Sequence, residues 1–251
     1  MKIRAIILSA LILCGISAVI MYSRAAQPLQ KSSVITQAIN DKNTPMVIKN
    51  LILKMKEQME VNDDQFPELI KEVENYTNSC ADSASVAVLH SMLAEMYQNY
   101  YQRNQWTINQ RTQLSGYIPE DIRVWTSNLF TDKIKEEIDL SLRPTALLQN
   151  TPVSKFKDIL EIGKDSQTLR PTLYEFLAFR ALDIQPTVQI YKDLIAFQNK
   201  EPNMKSVLLT ELDYLRFLYG DKRDKESFEA YMNALDELYR NLASENYAAE
   251  I

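Results

Sequence analysis

Few side chains in this sequence belong to the types that carry out catalysis. The one histidine, His90, lies three residues before Leu93, beside the apolar stripe of an amphipathic helical pattern. A histidine-dependent triad needs a nucleophile in a recognisable setting, and the sequence has no Gly-x-Ser-x-Gly motif. We therefore expect His90 to be a packed or surface histidine, and we expect the protein not to be an enzyme.

Metal and cofactor motifs are also missing from the sequence. Cys14 lies in an N-terminal apolar run, so Cys80 is the single thiol of the chain that follows, and a zinc site built from a cysteine–histidine cluster is excluded. No calcium loop, Walker loop or dinucleotide fingerprint occurs. We expect no metal and no cofactor. Cys80 is predicted to be an inert thiol near a helix end, with a covalent dimer as the alternative.

Acidic side chains occur close together at three places in the chain. These are Asp63-Asp64, Glu136-Glu137 with Asp139, and Asp236-Glu237. A general acid–base pair needs burial and a cleft, whereas each of these groups falls at a predicted turn or on the polar face of a predicted helix. We therefore expect solvated carboxylates rather than a catalytic pair.

A series of aromatic residues is the best candidate for a binding surface. Tyr97, Tyr100, Tyr101 and Trp106 lie within a short stretch of the chain. Tyrosine and tryptophan are frequent anchors in protein interfaces, so these four residues are predicted to line a protein-binding groove. Helix packing explains Tyr97 and Tyr100 equally well, and both interpretations stay open here.

The elements that must position these residues are predicted to be helices. Only four glycines occur in 251 residues, which leaves little room for hairpin turns or phosphate-binding loops. The clearest helix start lies between Arg170 and Asp183, where Thr172 and Glu175 have the spacing of a capping box. Apolar residues then cover most of the helix circumference. This helix is therefore expected to be central, with neighbours on several sides.

Helical patterns fill the chain from Thr44 to Leu242, with breaks of a few residues. Helix pairs recur at roughly 35–40 residues, the scale of tetratricopeptide (TPR) arrays, although the consensus Trp and Leu-Gly of that repeat are missing. A polar loop is predicted from Gln102 to Pro119, and further helices are predicted from Asp121 to Leu142 and from Thr151 to Gly163. The predicted fold is all-α, a TPR-like helix-pair array forming a right-handed α-α superhelix after an N-terminal signal segment.

The same pattern predicts how the chain is divided. Residues 1–25 are a signal peptide or N-terminal membrane anchor, residues 26–118 form TPR-like hairpins, and residues 119–251 continue the array. Lys2 and Arg4 precede an apolar run at 5–22, followed by small residues, which is typical of an export signal; the run is also just long enough to span a bilayer. We expect an exported protein of the periplasm or cell envelope. Its formal charge of −5 argues against nucleic acid or anionic lipid as the main partner.

Two blocks of the sequence resemble a known family. The first contains Trp125, Leu129-Phe130, Ile138, Ser141-Leu142, Phe156, Ile159-Leu160 and the whole segment from Arg170 to Asp183; the second contains Leu208-Leu209-x-Glu211-Leu212-x-x-Leu215 and Tyr231-x-x-x-Leu235-x-x-Leu238-Tyr239. Together they resemble the N-terminal helical region of the large exported alpha-2-macroglobulin-like proteins of Bacteroidetes-type bacteria. The resemblance covers nearly the whole chain after the signal segment.

This resemblance implies a place in a protease inhibitor. Family members continue into many β-sandwich domains with a protease-bait segment and, in many, a Cys-Gly-Glu-Gln thioester, and they are thought to trap proteases that attack the cell envelope. The present sequence has no Cys-Gly-Glu-Gln and no β-rich region. The resemblance therefore implies a non-catalytic N-terminal module, truncated or split from the macroglobulin-type domains that are its partners. Residues 241–251 fit this expectation, because they show no polar capping repeat.

A second interpretation needs no larger protein. In it, the chain is a self-contained exported TPR-like adaptor that holds peptides or partner proteins in a groove near Tyr97–Trp106. Helix pairing and the tyrosine cluster support this alternative.

Overall fold

The structure, a computed structural model, is nearly all helical in the residues it describes: 39, 43–61, 65–112, 117–160, 166–200, 203–220 and 224–242. Its helices are α1 Thr44–Val61, α2 Phe66–Ser79, α3 Ser83–Ile108, α4 Ser127–Ser141, α5 Thr145–Gln149, α6 Ser166–Leu169, α7 Leu173–Ile184, α8 Val188–Gln198, α9 Met204–Tyr219 and α10 Lys225–Leu242. Short 3-10 turns lie at Ile122–Val124 and Val153–Phe156. These ranges contain no β-strand, so the all-α class is confirmed.

Two runs of helices pack in the order of the chain. Contacts join α1 to α2, α2 to α3, and α3 to α4, and the same pattern joins α7 to α8, α8 to α9, and α9 to α10. The long helix α3 also touches α1 and α7. Because each helix has an apolar face, packing of successive helices buries these faces.

Helix α7 has the start and the surroundings that the sequence predicts. The hydroxyl of Thr172 accepts a hydrogen bond from the amide of Glu175 at 3.2 Å, and Glu175 Oε2 accepts one from the amide of Thr172 at 3.1 Å. This reciprocal pair is the capping box. The helix packs on α3, α5 and α8, so its wide apolar surface is covered from several sides.

The predicted loop at Gln102–Pro119 is partly wrong, because α3 continues to Ile108. Polar residues fill these turns, but Ile108 is fully buried and anchors the end of the helix in the core. Side chains support the last turns as well, since Asn104 Nδ2 donates to the carbonyl of Tyr100 at 3.0 Å. Tertiary burial at one position therefore outweighs the polarity of the segment.

Two other helix boundaries differ from the sequence prediction. The helix expected from Asp121 begins only at Ser127, because Trp125 is extended and its indole donates to the carbonyl of Pro119 at 2.7 Å. The helix expected from Thr151 is a 3-10 turn. Its backbone instead pairs with the start of α7, where Leu173 N donates to the carbonyl of Thr151 at 2.8 Å.

Buried side chains form two hydrophobic clusters. The larger one extends from Val47 in α1 to Leu194 in α8 and therefore includes residues on both sides of the boundary predicted at 118/119. The smaller one consists of Leu208, Leu212 and Leu238, with half-buried neighbours. Helix α9 takes part in both clusters, because its Tyr214 and Phe217 pack against the larger one.

None of the helices in the described residues is both long and apolar enough to cross a membrane. The signal peptide or anchor predicted at 1–25 lies outside the described residues, as do the acidic pair Asp63-Asp64 and residues 243–251.

Candidate functional site

The four aromatic residues predicted to bind a partner have different environments. Tyr97 is 1% exposed and stacks on Trp125, with 5.7 Å between ring centroids. Tyr100 is also buried, and both Tyr100 and the half-buried Tyr101 stack against Phe130.

Trp106, in contrast, is 78% exposed at the end of α3. Tyr97 and Tyr100 thus pack between α3 and α4, while Trp106 faces solvent. As a protein-binding set, the four residues stay a prediction.

The histidine lies in a polar cluster that the sequence did not indicate. His90 Nδ1 is 2.6 Å from Glu137 Oε2, and Lys133 Nζ is 2.8 Å from Glu137 Oε1. Glu137 is 2% exposed, so the expectation that Glu136, Glu137 and Asp139 are all solvated is wrong for Glu137. Burial lowers the pKa of Lys133, but its hydrogen bonds to Glu137 and Glu136 outweigh this effect and raise the pKa overall.

This cluster joins two helices and has no companion nucleophile among the described residues. A carboxylate can only accept hydrogen bonds, so Nδ1 of His90 donates to Glu137 and ties α3 to α4. No hydroxyl or thiol of the described chain is hydrogen-bonded to His90. Cys80 lies elsewhere, half-buried at the C-terminal end of α2, which confirms its predicted place near a helix end.

Within the described ranges, no group of three or more His, Cys, Asp or Glu side chains is placed to hold a metal ion. The hollow along α4, about 360 Å³, is lined by one helix face that is mostly charged, including Asp132, Lys135 and Arg143. A single helix supplies no opposing wall, so this hollow offers little to a ligand.

A larger hollow lies between three consecutive helices near the C-terminal end of the described chain. Its volume is about 550 Å³, and α8, α9 and α10 each present one face to it. The residues that line it are Lys192, Ile195, Ala196 and Asn199 from α8, Glu211, Tyr214 and Leu215 from α9, and Ala234, Glu237, Leu238 and Asn241 from α10. The α8 and α10 sets each follow an i, i+3, i+4, i+7 spacing, which places them on one side of the helix. We call this hollow the α8–α10 groove.

The middle of the groove is apolar and its edges are polar. Helix α9 packs on both α8 and α10 and so supplies the floor, where Tyr214 and Leu215 are half-buried. Leu238 is 8% exposed and belongs to the smaller core cluster. The edges carry exposed polar side chains, among them Lys192 and Asn199 on one side and Glu237 and Asn241 on the other.

Aromatic and polar contacts hold α8 against α9. The hydroxyl of Tyr191 donates to Asp213 Oδ2 at 2.6 Å, and its ring lies 5.2 Å from that of Tyr214. Because Tyr191 is buried, these contacts fix the position of α9 against α8. The apolar floor is therefore held by packing that does not depend on a ligand.

Glu211 is the charged residue on the floor. It is half-buried, and its neighbours one turn further along α9 are Tyr214 and Leu215. Burial raises the pKa of its carboxyl group. It makes no hydrogen bond or ion pair with another described residue.

Comparison with models of known protein families, with curated proteins and with solved structures finds no match.

The sequence analysis did not predict the groove, although the sequence contains part of the pattern that forms it. The i, i+3, i+4, i+7 sets on α8 and α10 contain small side chains, Ala196 and Ala234, among larger ones. Small residues on a helix face leave space beside it. The sequence does not state which faces meet, because α8 and α10 are separated by the whole of α9.

Proposed function

We propose that this protein is a non-catalytic helical module that binds segments of other proteins in the α8–α10 groove. The observation that carries the proposal is the groove itself, which has an apolar floor and polar edges and is formed by three successive helices. Binding sites for ligands are commonly concave and mostly apolar, with a few polar groups that fix orientation, in a volume of roughly 300–1,000 Å³. The groove has these properties.

We also propose a TPR-like arrangement in which successive helix pairs stack into a right-handed superhelix. Nearest-neighbour packing along α7–α10 supports this arrangement, as does packing along α1–α4. In arrays of this kind a concave surface is the usual site of partner binding. We further propose that the chain is exported to the periplasm or cell envelope, because residues 1–25 have the pattern of an export signal.

The proposal can be tested with substitutions that fill the groove, by measuring their effect on peptide binding. Ala196→Trp and Ala234→Trp place a large ring into the groove, and each is expected to abolish binding to an array of synthetic peptides rich in leucine, valine and phenylalanine. Ala146→Trp is the control, because Ala146 is exposed on α5 and lies outside the groove. Equal binding by all three variants would overturn the proposal, provided their melting temperatures match that of the wild type.

A second candidate function follows from an apolar stripe on α10. Phe228, Met232 and Tyr239 are 60%, 48% and 48% exposed, and they share one helix face at i, i+4 and i+11. Exposed apolar side chains in such a row favour association with another apolar surface. From this stripe and from the resemblance seen in the sequence, we propose that the chain is the N-terminal helical module of an alpha-2-macroglobulin-like endopeptidase inhibitor, with the macroglobulin-type domains as its partner.

This second candidate has a direct test. A neighbouring reading frame in the source genome that encodes macroglobulin-type domains should yield a protein that binds the chain with micromolar or better affinity. Phe228→Gln combined with Met232→Gln is expected to weaken that binding, whereas the groove substitution Ala196→Trp should leave it intact. An unrelated neighbouring frame counts against the candidate.

A further inference from the structure

The α8–α10 groove carries a charge pattern that narrows the choice of partner. Its lining residues include two carboxylates, Glu211 and Glu237, and one ammonium group, Lys192. Glu237 and Lys192 are exposed at the edges, where water surrounds them. Glu211 lies between them on the floor, beside apolar side chains.

The floor position makes Glu211 different from an ordinary surface carboxylate. Partial burial removes part of its water, and no described residue compensates by donating a hydrogen bond or a positive charge. A carboxylate in this state gains most from a ligand that brings a cation, because the interaction of two charges strengthens as water is excluded. A neutral ligand would cover Glu211 and remove the rest of its water without compensation.

We propose that the occupant of the groove is a segment of another protein in which apolar side chains flank a lysine or arginine, whose cation pairs with Glu211. The apolar side chains lie on the floor formed by Tyr214 and Leu215, and Asn199 and Asn241 at the two edges can bond the backbone of the segment. The net negative charge of the chain favours approach of such a basic segment. This inference rests on the proposed function, because it names the chemistry of the partner for the same groove.

The test uses the whole chain and short fluorescein-labelled synthetic peptides that differ at one position. Leucines flank a central residue that is lysine, arginine, norleucine or glutamate, and binding is followed by fluorescence anisotropy. The lysine and arginine peptides are expected to bind the wild type about tenfold more tightly than the norleucine peptide, a ratio equivalent to about 1.4 kcal/mol. Glu211→Gln should remove this difference, and it should bind the norleucine peptide more tightly than the wild type does, because a neutral amide costs less to desolvate than a carboxylate.

Glu229→Gln is the matched control, because it makes the same change of charge on α10 outside the groove, where Glu229 pairs with Lys225 at 3.5 Å. It should keep the preference for lysine and arginine. If all peptides bind but Glu211→Gln retains the preference, the proposed partner chemistry is wrong while groove binding stands. If no peptide binds the wild type, the proposed function itself fails.

A second measurement tests whether the occupant of the groove is another protein or a second copy of this chain. Sedimentation of the wild type and of Ala196→Trp should give the same molecular mass. A dimer that disappears in Ala196→Trp would mean that a second copy occupies the groove, and this would overturn the inference.

The stability of Glu211→Gln gives an independent check of the floor carboxylate. Because burial raises the pKa of Glu211 in the folded state, the wild type loses stability as the pH rises through the range above the ordinary glutamate value. Glu211→Gln is therefore expected to melt about 2 °C higher than the wild type near pH 7, and this difference should vanish near pH 4. A lower melting temperature near pH 7 would mean that Glu211 already has a partner.

Discussion

At the scale of single residues, burial raises the pKa of two tyrosines, Tyr97 and Tyr174. The ring of Tyr97 lies in the core, and its hydroxyl donates to Glu74 Oε1 at 2.7 Å. Burial and the neighbouring carboxylate both disfavour the phenolate, so the pKa of Tyr97 lies well above its ordinary value. Burial also raises the pKa of Tyr174 to about 12.

These raised pKa values predict a loss of stability in alkaline solution. The unfolded chain releases the tyrosine protons near pH 10, whereas the folded chain retains them, so the free energy of unfolding falls as the pH rises above about 10. Near pH 8, Tyr97→Phe should lower the free energy of unfolding by about 1 kcal/mol, because the hydrogen bond is lost. By pH 11 the free energy of unfolding of the wild type should have fallen by about the same amount, so that the two proteins become similarly stable.

Urea unfolding at several pH values measures this effect. Tyr239→Phe, which removes a half-exposed hydroxyl, is the comparison. A difference between wild type and Tyr97→Phe that is independent of pH would show that the hydroxyl reaches water in the folded state.

At the scale of the helices, a buried polar link joins α3 to α4. Glu137 receives hydrogen bonds from His90 on one helix and from Lys133 on its own helix, and it is almost completely buried. Removing one member of a buried charged cluster leaves the others without compensation, and this costs about 3–5 kcal/mol. The link therefore helps to fix α4 against the long helix α3, which contributes more buried residues to the larger core cluster than any other described helix.

Glu137→Ala is expected to lower the free energy of unfolding by about 3 kcal/mol. Its neighbour in the chain provides a close control: Glu136 is 58% exposed and pairs with the same Lys133 at 3.0 Å. Glu136→Ala should cost less than about 1 kcal/mol, because a solvated ion pair contributes little. Urea titration of both variants is the measurement, and equal losses would contradict the role assigned to the buried carboxylate.

At the scale of the whole molecule, helix α10 presents an exposed apolar face. Its stripe of Phe228, Met232 and Tyr239 lies beside the half-buried Leu235, which packs against the smaller core cluster. A row of exposed apolar side chains favours association with another apolar surface. We expect the isolated chain to associate with itself as its concentration rises.

Phe228→Gln, Met232→Gln and Tyr239→Gln in combination should make the chain monomeric. Because these side chains are exposed, the melting temperature is expected to change by no more than about 2 °C. Sedimentation equilibrium over a range of protein concentrations, alongside thermal unfolding followed by circular dichroism, provides the measurement. A wild-type chain that stays monomeric at high concentration would argue against the stripe as a docking face, and the self-contained adaptor would then gain support.

The sequence determined the all-α class, the start of α7 and the central place of that helix. These features have local causes: apolar spacing, the Thr172–Glu175 pair, and an apolar surface too wide for one neighbour. The packing of Tyr97 and Tyr100 was one of two sequence interpretations, and burial places both side chains in the core.

Only the tertiary structure decided the burial of Glu137 and the existence of the α8–α10 groove. His90 and Glu137 are 47 positions apart, and the two edges of the groove come from helices separated by the whole of α9. Spacing within one helix predicts which side chains share a face, but it does not predict which face of another helix lies opposite. A carboxylate that the sequence predicts to be solvated is buried, and the faces of three successive helices form one candidate binding site.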